Sequence, residues 1–138
     1  MGRKLLIAAG AAATGTDEIP PAIRALIDEA TEVMVIAPRL PSLLEWISSD
    51  TDKATEQADE RLSTVLGHLD EMGASSSGEV GADDPLVAFE DAIRGFEPDH
   101  ILVALRPENR SGWQEHRLAD RIGERFSMPM TVFQLPSA

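Results

Sequence analysis

The sequence reads as one doubly wound α/β domain, with any ligand site at the carboxyl ends of its strands. Three observations predict this. Short, near-continuously apolar runs recur along the chain, as in strands covered on both faces. Between them lie stretches whose apolar residues return at helical spacing, and such alternation implies parallel strands joined by right-handed crossovers. The 138 residues and 43% apolar content suit a single domain, residues 1–138, with one sizeable core.

The first strand is predicted over 4–9 (KLLIAA). Arg3 and Lys4 before Leu5-Leu6-Ile7 imitate the opening of a signal peptide, but the strand uses every apolar residue of the run. Ile19, Ile23, Leu26, Ile27 and Ala30 mark the first helix, and 32–37 (EVMVIA) the second strand. Residues 38–52 (PRLPSLLEWISSDTD) form the longest irregular connection. Leu43, Leu44, Trp46 and Ile47 make it too apolar for a plain solvated loop, so it reads as a short helical turn folded over the core. A partner-binding or pocket-covering patch is the alternative.

Ala54, Ala58, Leu62, Val65, Leu66 and Leu69 make a second helical stripe that stops at Gly73, a suitable left-handed cap. A third strand is then required, and 74–80 (ASSSGEV) is the candidate; its polarity suits a sheet edge. Leu86, Phe89, Ile93 and Phe96 form the third helix, closed by Gly95 and Pro98. The fourth strand is 100–105 (HILVAL), the fourth helix carries Leu118, Ala119, Ile122 and Phe126, and the fifth strand is 130–135 (MTVFQL).

Composition narrows the function. The formal net charge of −12 argues against nucleic acid and against anionic membrane surfaces, both of which are themselves negative. No apolar run approaches the roughly 20 residues that span a bilayer. The absence of cysteine removes disulfides, thiol nucleophiles and thiolate metal sites, and fits a cytoplasmic protein. Five of the twelve basic residues, Arg106, Arg110, Arg117, Arg121 and Arg125, nevertheless lie together beside only Glu108, Glu115, Asp120 and Glu124. That window is either a helix with salt-bridged faces or an anion site.

In an open parallel sheet, ligands bind beyond the strand carboxyl ends where the winding reverses. The loops expected there are 10–16, 37–41 and 106–112. The first, Gly10-Ala11-Ala12-Ala13-Thr14-Gly15-Thr16, offers backbone N–H groups and hydroxyls to a phosphate, or simply turns the chain with a threonine helix cap. It is neither a P-loop nor a dinucleotide fingerprint. The last loop, Arg106-Pro107-Glu108-Asn109-Arg110-Ser111-Gly112, has two guanidinium groups suited to bidentate recognition of phosphate or carboxylate. The candidate anion or nucleotide site is therefore Gly10, Thr14, Ala37, Arg106, Arg110, Ser111 and Gly112. His68, His100 and His116 have no metal-ligand spacing, Ser75-Ser76-Ser77 has no nucleophile-elbow context, and no catalytic residue is assigned.

Several segments, in order, resemble those of the universal stress proteins, the UspA family. Gly81-Ala82-Asp83-Asp84-Pro85-Leu86-Val87-Ala88-Phe89 resembles the segment opening that family's third helix. Phe96-Glu97-Pro98-Asp99-His100-Ile101-Leu102-Val103-Ala104 is similar to its fourth strand, Arg110-Ser111-Gly112 to the Arg-Ser-Gly that follows, and the run 126–133 to its closing strand. The resemblance covers the whole chain. It implies the strand order 3-2-1-4-5, a homodimer formed through the 130–135 strand, and a family in which many members bind ATP. The departures fall on the binding residues. Ala9 or Gly10 replaces the acid usual at the end of the first strand. Of the glycine loop, Gly-x2-Gly-x9-Gly-Ser/Thr, only Gly112 remains: Arg106 takes the first glycine position, Pro107, Glu108 and Asn109 follow, and Gly123-Glu124 comes too late. Arginine and proline block the close backbone approach to phosphates that glycine permits.

The resemblance thus implies a non-catalytic stress-response or regulatory module with a degenerate ATP site and no tightly held cofactor. The alternative is a binder of nucleotide or another small anion through Arg106 and Arg110. A flavodoxin-like electron carrier is a further alternative, with only Trp46 and Trp113 as large rings to flank a flavin. A receiver domain is disfavoured because Lys4 and Lys53 are the only lysines and no acid pair follows the first strand.

Overall fold

The computed structural model describes residues 3–9, 19–37, 52–80, 85–105, 120, 123–124 and 129–134. Five strands are present: β1 Arg3–Ala9, β2 Ala30–Ala37, β3 Ser76–Val80, β4 His100–Leu105 and β5 Met130–Gln134. All pair in parallel, in the order β3-β2-β1-β4-β5. The helices among the described residues are α1 Pro21–Glu29, α2 Asp52–Glu71 and α3 Pro85–Phe96. The predicted doubly wound sheet is therefore the observed one, with the weak serine-rich segment as edge strand β3. Asp120, Gly123 and Glu124 are helical, but the rest of the expected fourth helix lies outside the described residues, as do Leu43, Leu44, Trp46 and Ile47.

The strands alternate their side chains between two apolar layers. Leu5, Ile7 and Ala9 of β1 join Val33, Val35 and Ala37 of β2 under Ile23 and Ile27 of α1 and Ala58, Leu62 and Leu69 of α2. On the other face, Leu6 and Ala8 join Ile36, Ile101 and Val103 under Phe89 and Ala92 of α3. Walking β1 to β2 to β3 in one direction with right-handed crossovers puts both helices on one face. The return step from β3 to β4 puts α3 on the other. Both faces are covered, which is why these strands read as continuous apolar runs.

Helix ends follow local chemistry. Pro21 stands in the first turn of α1, where its missing N–H leaves no intrahelical bond unmade, and the N–H groups of Ile23 and Arg24 both donate to the Pro20 carbonyl at 3.0 Å. Gly73, at φ +78°, ends α2: its N–H donates to the Asp70 carbonyl and that of Ala74 to the Leu69 carbonyl. This is the paired pattern of a Schellman cap, at the glycine the sequence indicated. The end of α3 differs from expectation. The left-handed residue is Glu97, at φ 54°, whose N–H donates to the Ile93 carbonyl, while Gly95 is an ordinary helical residue. Pro98, next in the chain, prevents the helix from continuing.

Lys4 locks that turn to the sheet. Its backbone N–H donates to the Asp99 carboxylate at 2.9 Å, its carbonyl accepts from the Asp99 N–H at 2.8 Å, and its Nζ donates to the Phe96 carbonyl at 3.2 Å. The ammonium also lies 5.5 Å from the Phe96 ring centroid, a cation at the negative end of α3 and over an aromatic face.

Gly78 in β3 has a steric reason. A Cβ there would lie 2.6 Å from Leu62 Cδ1 of α2 and 2.8 Å from the Val35 carbonyl oxygen of β2. The helix can retreat by a rotamer change, but the backbone carbonyl cannot. Replacing Gly78 by alanine is expected to lower stability by about 1–3 kcal/mol in urea denaturation. An unchanged midpoint would mean that α2 and β3 are not held this closely.

Candidate functional site

The winding reverses between β1 and β4, so the chain leaves the sheet in opposite lateral directions from two neighbouring strands. Pairing of Ala9 with Ala104 puts the carboxyl ends of β1 and β4 side by side. On the other side of β1, Ala8 pairs with Ile36, which brings Ala37 level with Ala9. Ala9 and Ala37 are fully buried in the layer beneath α1 and α2, and Ala104 is half-buried.

Of the residues singled out in the sequence, Ala37 is the one described, at the end of β2. Gly10, Thr14, Arg106, Arg110, Ser111 and Gly112 lie outside the described residues. What the strand register fixes is where their loops start: 10–16 follows Ala9, and 106–112 follows Leu105, on adjacent strands.

One residue at this edge was missed. Arg61 of α2, half-buried, donates from Nη1 to the Ala9 carbonyl oxygen at 2.9 Å. A signal for it existed. Positions 54, 58, 61, 65 and 69 fall on one helical stripe, and Ala58 and Leu69 on that stripe are buried. A guanidinium among apolar residues at that spacing marks a polar acceptor within reach of the packed face, because burying an arginine without hydrogen-bond partners is costly.

The histidines lie away from this edge or outside the described residues. His68 is half-buried in the last turns of α2, and His116 is not described. His100 opens β4 at the opposite, amino edge of the sheet, where its Nε2 shares a 2.8 Å hydrogen bond with Thr131 Oγ1 of β5. Among the described residues no three of His, Asp and Glu gather into a group able to hold a metal ion, and no helix is long and apolar enough to cross a membrane.

The sequence matches no protein-family model and no curated protein. Among solved structures, it is similar to a crystal structure of a protein from the universal stress protein family from Burkholderia pseudomallei. The identity is 14%, covering 97% of this chain and 96% of that one, at a TM-score of 0.45. A likeness of this degree adds no argument, and the fold stands on the strand pairing alone.

Partial burial, and then the charge of Arg3, hold the His100 pKa below its ordinary value of 6.5. In the unfolded chain the imidazole protonates near that ordinary value, while the folded protein still resists the proton. The unfolded state then binds more protons, so stability is full above about pH 6.5 and falls as the pH drops from there towards the lowered folded value. Between pH 7.5 and 5.5 the wild type is expected to lose more thermal stability than His100→Gln. Equal losses in the two proteins would remove His100 as the cause.

Proposed function

We propose that this chain is a non-catalytic regulatory module of the universal stress protein type. It acts in the cytoplasm as a homodimer and holds a small phosphoryl or carboxylate anion without binding ATP tightly. The observation that supports the anion site is the strand order. It sets the exits of β1 and β4 against each other, so the loops bearing Gly10 and Thr14 and those bearing Arg106, Arg110, Ser111 and Gly112 leave from one place. Guanidinium groups suit such an anion, and a protein of formal charge −12 needs local cations to receive one. The loss of the glycine pattern, with Arg106 and Pro107 in its place, supports the weakness toward ATP.

Calorimetric titration tests this reading, after mass spectrometry has excluded a carried-over ligand. Pyrophosphate is expected to bind, magnesium-ATP to bind no more tightly, and the double variant R106A/R110A to lose both. Failure of wild-type protein to bind any phosphate or carboxylate probe overturns the anion site. Tight magnesium-ATP binding overturns its degenerate character.

Dimerisation through the 130–135 strand is supported by the position of β5. It is the last strand of the sheet, and Val132 on it is 48% exposed. Exposed apolar edges are ordinarily paired or covered. Light scattering is expected to give a dimer for wild type and a monomer for Val132→Lys, whose charge blocks edge pairing. A monomeric wild type at high concentration contradicts this.

A further inference from the structure

His100 stands between a strand that cannot move and one that can. On one side is β1, where its register partner is Leu5 and where Leu5 to Ala9 are all buried. On the other is β5, which ends the sheet and pairs with β4 alone among the strands. None of Met130, Thr131, Val132 and Phe133 is fully buried. Two bonds tie the start of β5 to β4. The Ile101 N–H donates to the Pro129 carbonyl at 2.9 Å, and His100 Nε2 meets Thr131 Oγ1 at 2.8 Å. The second tie is made by a group that titrates near neutral pH.

The ring is poorly placed to carry a charge. It is half-buried, and Leu102, next on its face of β4, is buried in the apolar layer beneath α1 and α2. From β1, Arg3 acts on it by charge, its guanidinium held 3.0 Å from the Glu29 carboxylate of α1. Lys4 turns its ammonium to the Phe96 carbonyl, and Asp99 gives its carboxylate to the Lys4 N–H. β5 brings no titratable side chain from Met130 to Gln134. Protonation leaves the bond to Thr131 intact, because Nε2–H then donates to the hydroxyl oxygen. What it adds is a cation, partly out of water, near a guanidinium. Water reaches that cation if β1 or β5 moves away. Moving β1 breaks both apolar layers, whereas moving β5 uncovers side chains that are already partly exposed.

We infer that His100 is a pH-sensitive latch for β5: its protonation releases the edge strand from β4 while β1 and β2 stay in place. This goes beyond a loss of overall stability in acid, because it assigns the loss to one seam. A second copy paired on β5 would slow the release at every pH, so the latch is read as a ratio and does not rest on the dimer.

Amide hydrogen exchange on the full chain tests this at pH 7.5 and 5.5, with each rate corrected for the pH dependence of the chemical step. In wild type the opening of 130–134 is expected to rise severalfold at pH 5.5. The ceiling is about tenfold, set by an imidazole of ordinary value 6.5 in the released state. Leu5 to Ala9 are expected to keep their protection. His100→Gln keeps a hydrogen-bonding side chain without the titration, and the rise is expected to vanish. Equal rises in wild type and His100→Gln overturn the latch. So does a rise shared equally by β1 and β5, which reports opening of the whole sheet, and so does no rise in wild type. If His100→Gln does not fold, the wild type decides through the imidazole proton resonance. Opening of β5 then begins near pH 6.5 and levels off as the folded His100 titrates; any other course overturns the inference.

Discussion

The structure depends on the double burial of β1. Leu5 to Ala9 are all nearly inaccessible, and their side chains alternate between the two apolar layers. A strand in that position has no polar face to give to water, so helices must cover the sheet on both sides. Covering both sides with right-handed crossovers requires the winding to reverse once. It reverses beside β1, because β1 is paired with β2 on one side and β4 on the other. The reversal of winding, where the proposed site lies, therefore follows from the same burial that makes the core.

The two edges of the sheet answer their exposure differently. β3 is short, polar and rich in serine, and it meets α2 closely through Gly78, so it presents little apolar surface to solvent. β5 keeps its apolar character out to the edge, with Val132 exposed, while Thr131 is tied back to His100 of β4. The two edges thus differ in chemistry, one polar and the other with an exposed apolar side chain. At the amino edge, Lys4 and Asp99 bind each other's backbone and fasten the turn after α3 to β1. The residue at that turn, Glu97, takes a left-handed conformation although it is not glycine. The Asp99 contacts with Lys4, two residues on, and the Glu97 N–H bond to the Ile93 carbonyl hold the path on either side of it.

Charge is arranged against the overall sign of the molecule. The acidic excess lies before Arg106, whereas basic residues gather from Arg106 onward and Arg61 stands at the exit of β1. The loop arginines were legible in the chain because they lie in one short segment after β4, where Arg106 stands at a glycine position of the family pattern. Arg61 was legible only as a charge on the apolar stripe of α2, because its partner is a main-chain carbonyl far away in sequence, and no residue type advertises which carbonyl it reaches. The alanine at the end of β2 was legible as a strand end, but not as the neighbour of Ala9.

By itself the sequence determined the fold class, the five strands to within a few residues, the polar edge strand and the glycine cap of α2. Each of these is local: periodicity, apolar continuity and conformational preference act within one segment. The strand order was expected only through resemblance to a family, since a parallel run does not name its neighbour. The tertiary structure decided the register that levels Ala37, Ala9 and Ala104, the close approach that requires Gly78, and the reach of Arg61 to Ala9. It also moved the cap of α3 from Gly95 to Glu97. These depend on contacts between segments remote in the chain, and such contacts exist only once the layers have packed.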